Sequence, residues 1–174
     1  MSDGIHAAGG EVIAISVDSE ERNAAMRERW PVESFLFVSD PGGEEHLRRM
    51  DVFDPEERGG IALPGLFVLA PDGREVFAHR GRDFADRTED DVVEALERLG
   101  LDAIEAPAGA PVVADVEVDQ KGTFTPELFT PYFLGNRFGA MAIAGRLDGD
   151  ARDVAEEHAD MAAAMLEAWK EVRS

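Results

Sequence analysis

The chain has no cysteine in its 174 residues. That excludes disulfides, thiolate metal sites, iron–sulfur clusters and every thiol nucleophile. Lysine is nearly missing as well: Lys121 and Lys170 are the only two, so arginine carries the positive charge. No apolar run approaches the roughly 20 residues that a membrane-spanning helix needs. The opening "MSDGIHAAGG" has neither the basic start nor the apolar block of a secretory signal. These absences predict a cytoplasmic protein with no membrane partner. Walker and dinucleotide glycine loops and the G-x-S-x-G nucleophile turn are also lacking, and no cofactor or metal is implied.

Acidic residues dominate what is present, 37 against 17 basic ones, for a formal net charge of −20. Such a surface repels phosphate backbones, which argues against a nucleic-acid partner. Solubility or adaptation to salt explains the acidity most simply; a basic partner is the functional alternative. With 44% hydrophobic and 31% charged residues the composition is that of a soluble globular protein, and 174 residues suffice for one ordinary domain with room for an appendage.

"EVIAISVD", Glu11 to Asp18, is almost continuously apolar, as a strand buried on both faces would be. "SEERNAAMRERW" follows as a helix, with Asp18 and Glu21 placed to form a capping box. "SFLFVSD" reads as a second strand. Asp40 and Pro41 then resemble the N-cap and first turn of a helix running through Leu47 and Met50. "GLFVLA" and "REVFAH" flank "PDG", a strong hairpin signal. Thr88 and Asp91 cap a helix whose Val92, Val93, Leu96 and Leu99 share one face and whose stop is Gly100.

Residues 11–100 thus read β-α-β-α-β-β-α, an α/β pattern closed by a hairpin and a covering helix. The expected organisation is a domain over 1–104, a linker over 105–111, and a strand plus helical extension over 112–174. In that extension "VVADVEVD" alternates like a half-exposed strand, and Thr125-Pro126 and Thr130-Pro131 each resemble a helix start. A final helix over about Ala151–Val172 carries Val154, His158, Met161, Met165, Ala168 and Val172 in a heptad-like stripe. That stripe is expected to pack within the chain, with His158 as a packing histidine.

"GGEVIAISVDS", "FLFVSDPGGE" and "IALPGLFVLAPDGREVFAHRGRDFADR", in that order, resemble the redoxin branch of the thioredoxin superfamily. That branch is the alkyl hydroperoxide reductase / thiol-specific antioxidant (peroxiredoxin) group. The resemblance covers about residues 8–100. It implies a three-layer thioredoxin-like fold, oxidoreductase ancestry, and a cis Leu63–Pro64 bond. In the family that bond shapes an edge, here Leu63, Pro64 and Gly65, against which a substrate or partner strand lies.

The departures from the family are as informative. Its cysteine sits at a helix N-terminus, where unpaired N–H groups and the helix dipole lower a thiol pKa; "MSDGIHAAGGEV" resembles only the tail of that helix. The arginine that peroxiredoxins carry after the DG turn would fall near Val76, with Arg74 two residues away. Peroxide reduction needs a thiolate, so an inactive chain is expected. The resemblance also leaves Val12–Asp18 and Leu66–Leu69 each without a neighbouring strand. Val112–Val118 could fill the gap, a second copy or a partner chain could complete the sheet, or the polypeptide could be a shortened form of a longer protein. A non-catalytic binding or oligomeric scaffold module is the alternative function.

Other constellations are weak. His6, His46, His79 and His158 show no metal-ligand spacing. "DGDARD", Asp148 to Asp153, begins like a calcium loop but has Ala159 where the twelfth-position glutamate belongs. "GRDFADR", Gly81 to Arg87, reads either as one border of the Pro64 site or as a solvated loop.

Overall fold

A computed structural model of the chain describes residues 2–30, 32, 34–81, 89–105, 118 and 124–173. The chain divides into two compact units, Met1–Thr123 and Phe124–Ser174.

The first unit opens with helix α1 (Ser2–Ala7). The apolar run that follows forms β1 (Ile13–Ser16), which pairs in parallel with β2 (Leu36–Ser39) from Ile13–Leu36 to Ser16–Ser39. Parallel neighbours need a crossover, and α2 (Glu20–Arg29) provides it, with acids in its first turn and arginines in its last. Its N-cap is Ser19, one residue later than the sequence predicts. Asp18 instead faces Arg22 at 3.2 Å.

The helix expected from Pro41 through Met50 does not form. A single 3-10 turn (Pro41–Gly43) is followed by irregular turns, because Gly42 and Gly43 both take positive φ, at 81° and 69°. Two short strands, β3 (Phe53–Asp54) and β4 (Ile61–Ala62), pair antiparallel. The hairpin expected around "PDG" is present as β5 (Gly65–Leu69) and β6 (Glu75–Arg80), with a bulge after Val68. Helix α3 (Glu89–Glu97) covers it. Ile5 of α1, Val68 of β5, and Val92, Ala95 and Leu96 of α3 form a buried cluster. Val12, Leu66, Val76, Phe77 and Leu99 pack around it.

The mixed α/β class is as expected from the sequence. Among the described residues, however, the strands form three separate two-stranded ladders. β1 is paired with β2 alone and β5 with β6 alone, so each has a neighbour on one side. Ile13 and Leu69 are more than half exposed, and no large side chain among the described residues is completely buried. Of the proposed filler Val112–Val118, all but Val118 lie outside the described residues, as does most of the 105–111 linker.

The second unit is a pair of helices, α4 (Pro126–Ala144) and α5 (Asp150–Val172). Thr125 is the N-cap of α4, and Pro131 lies inside the helix instead of starting a new one. Pro131 has no N–H to donate to the carbonyl four residues back, and the helix runs on past it as far as Ala144. Helix α5 also corrects the predicted stripe. Val154, His158, Met165, Ala168 and Val172 are exposed, and the buried residues are Ala159, Ala162 and Trp169. The face turned inward is built on alanine, which lets aromatic side chains of α4 lie close: Phe129 stacks on Trp169 with ring centroids 4.6 Å apart. No helix among the described residues is long and apolar enough to cross a membrane.

The two faces of α5 should respond oppositely to substitution. Ala162→Leu, at a fully buried site, is expected to cost about 1–3 kcal/mol by overpacking, whereas Val154→Ala should stay within about 0.5 kcal/mol. Urea denaturation monitored by circular dichroism checks both. Equal effects would refute the inward alanine face.

Candidate functional site

The residues Leu63, Pro64 and Gly65 lie where β4 passes into β5. The Leu63 N–H donates to the Val52 carbonyl (2.8 Å), and the Gly81 N–H donates to the Pro64 carbonyl (3.0 Å). These bonds hold the backbone on either side of the bend. The Leu63–Pro64 bond is trans, not cis as the resemblance implies; there is no cis peptide among the described residues. Trans is the ground state of an X-Pro bond.

The hairpin register places Gly65 opposite Arg80. Because Gly81 and Pro64 form a hydrogen-bonded pair, the alternation of an antiparallel ladder turns the amides of Gly65 and Phe67 away from β6. Glycine at 65 is a steric requirement. A Cβ there would stand 2.6 Å from Phe67 Cε2 and 3.1 Å from Val52 Cγ1.

Arg80 is the residue that the sequence-based search missed. Its guanidinium lies over the Phe67 ring at 4.7 Å, its Nε donates to the Met50 carbonyl at 2.8 Å, and Glu75 pairs with it. The two positions considered for a supporting arginine serve other ends: Val76 packs on the core, and Arg74 reaches Asp72. Counting back from the "PDG" turn would set residue 79 opposite 65; the bulge after Val68 shifts the register by one and brings Arg80 there instead.

A second anchor lies at the end of β2. Asp40 is 3% exposed. Its carboxylate accepts the N–H groups of Leu47 (2.9 Å), His46 (2.9 Å) and Glu45 (3.1 Å). Burial alone would push its pKa up, but the backbone donors at Leu47, Glu45 and His46, with the positive field of His46, outweigh burial and hold it below the usual value. From there a relay leads to the bend: Val52 N–H to Leu47 carbonyl (3.0 Å), then Leu63 N–H to Val52 carbonyl. Nearby, Arg48 sits over the Phe53 ring at 4.4 Å. Behind β1 and β2, buried Asn23 bridges Ser16 (3.2 Å) and Ser39 (3.0 Å), which satisfies its amide.

The histidines remain apart. His6 is buried beside Glu11 (3.3 Å), His79 lies on β6 opposite Leu66, and His158 is exposed instead of packed. Among the described residues no three potential metal ligands cluster. Of "GRDFADR", all but Gly81 falls outside the described residues. The edge therefore presents backbone donors and acceptors, an aromatic ring and a guanidinium. With no cysteine in the chain, it has no thiol to attack a peroxide. No family model, curated protein or solved structure matches this chain.

The lowered pKa of Asp40 ties stability to pH. Its ionised form stabilises the fold fully above the unfolded carboxyl pKa of about 3.9, and that share is lost as pH falls through the lower native value. Asp40→Asn is expected to cost about 1–3 kcal/mol near neutral pH, with the difference from wild type narrowing as pH falls below the unfolded carboxyl value. Denaturant titrations across that range are the check; a pH-independent difference would exclude the carboxylate as the cause.

Proposed function

We propose that this chain is a redoxin-like protein without the thiol chemistry of that family, and that its activity is to hold an extended peptide strand along the Leu63–Gly65 edge. The observation that carries this reading is the one-sided pairing of β5. Its outward amides at Gly65 and Phe67 are disposed for β-strand addition. Pro64 suits the entrance to such an edge, because the N–H it lacks would have faced Gly81 and the outer side loses no donor. Arg80, opposite Gly65, adds a cation beside the strand path, and the Phe67 ring adds an apolar contact.

In strand addition, main-chain hydrogen bonds provide affinity and alternate side chains provide selectivity. The partner that fits is an extended, β-branched segment, contributed by another protein or by a second copy. Acidic peptides would meet the repulsion of a chain with net charge −20.

Two measurements test the proposal. Purified protein supplied with dithiothreitol should consume hydrogen peroxide no faster than the blank. Titration with a synthetic peptide of alternating valine and threonine should shift the amide resonances of Gly65, Phe67 and Leu69. The same peptide with N-methylated alternate amides should leave them unmoved. Peroxide turnover, or an edge indifferent to both peptides, would defeat it.

A further inference from the structure

Helix α4 is apolar nearly all round. Its charged residues are Glu127, in the first turn, and Arg137, which borders the groove against α5. Phe129, Phe133, Ala140 and Ala144 turn toward α5; the two alanines are buried, and Phe129 stacks on Trp169. At about 100° per residue, Leu128, Pro131, Gly135, Phe138 and Ala142 fall on the opposite face, flanked by Gly139 on one side and by Leu134 and Met141 on the other. That face is open: Phe138 is 61% exposed, Met141 51% and Leu128 49%. A helix that is hydrophobic on every side belongs in an interior, and α5 covers one side of it.

We propose that the outer face of α4 is a dimer interface, occupied by the same face of a second copy of this chain. Three features commit it to that occupant. The face is self-complementary, as a two-fold interface must be. An antiparallel arrangement with its axis midway between Arg137 and Phe138 sets Leu134 level with the partner's Met141, and brings Gly135 within about one residue of the partner's Gly139 and Phe138 within about one residue of the partner's Phe138. The glycines permit close approach, since a Cβ at either would meet nothing within 4 Å; the phenylalanines fill the adjoining space.

The area also suffices. The exposed apolar side chains of this face present on the order of 500 Å² per copy, and the pair reaches the roughly 1,000 Å² that a specific interface requires. Electrostatics supports the same occupant. Two chains of net charge −20 repel almost everywhere, and this face has no acid beyond Glu127 at its end. Two helical hairpins joined in this way set four helices side by side, with the two α4 helices in the middle. The proposal concerns the second unit and does not rest on the strand edge of the first.

Sedimentation velocity on the full chain is expected to show a species of twice 18.9 kDa. Its dissociation constant should fall as salt rises, because screening relieves the acidic repulsion. Gly139→Leu raises helix propensity and meets open space in the monomer, so helicity should hold while self-affinity drops about tenfold or more. The absence of native cysteine permits a direct probe: Phe138→Cys should cross-link to itself on mild oxidation, and Met165→Cys on α5 should not. A monomeric wild type, a Gly139→Leu dimer as tight as wild type, or equal cross-linking at 138 and 165 would each overturn the proposal.

Discussion

The carboxylate of Asp40 anchors the backbone around the candidate site. A buried charge is costly unless donors surround it, and Asp40 has three, all from the segment that follows it. Gly42 and Gly43 prevent that segment from continuing as a helix, so its amides have no intrahelical acceptors. Asp40 takes three of them in one step. The order then passes along the backbone, from Leu47 to Val52 to Leu63, and Gly81 closes the far side by bonding Pro64. The position of the bend thus depends on a residue more than twenty positions upstream.

Strand pairing imposes the second constraint. Buried amides need partners, and β1 and β5 are each paired on one side among the described residues. The composition of β1 suits a strand covered on both faces, yet its first residue, Ile13, is more than half exposed. The buried cluster is correspondingly offset toward α1, α3 and the hairpin. An unshielded apolar edge is an aggregation hazard unless something pairs with it, and a strong net negative charge is one general protection against uncontrolled pairing.

Much of this was legible in the sequence where the signal was local. The hairpin followed from "PDG" between two β-rich runs, and α3 from an amphipathic run that Gly100 ends. The chemical absence was legible too, because cysteine is either present or not. The misreadings share a cause: local patterns were overruled by packing. Asp40-Pro41 has the form of a helix start, but the two glycines behind it take positive φ. The large side chains of α5 trace a heptad, yet α4 packs with phenylalanines, and the face that receives them must be small. Alanine carries little weight in a search for hydrophobic stripes, so the true face fell one position away. Arg80 was overlooked because its place opposite Gly65 depends on the bulge after Val68, which no residue of the turn announces.

The two units apply one physical rule in different ways. In the first, the surplus is backbone: a strand edge whose amides point outward, where hydrogen bonding would set direction and register. In the second, the surplus is apolar side chain on a helix whose own amides are satisfied, where shape alone would select the partner. Screening strengthens contact between uncharged faces of acidic chains generally, and at the strand edge the Arg80 charge is already matched by Glu75. The charge of the chain therefore acts as a filter. It admits partners only where a surface is neutral or locally basic, and both proposed surfaces meet that condition.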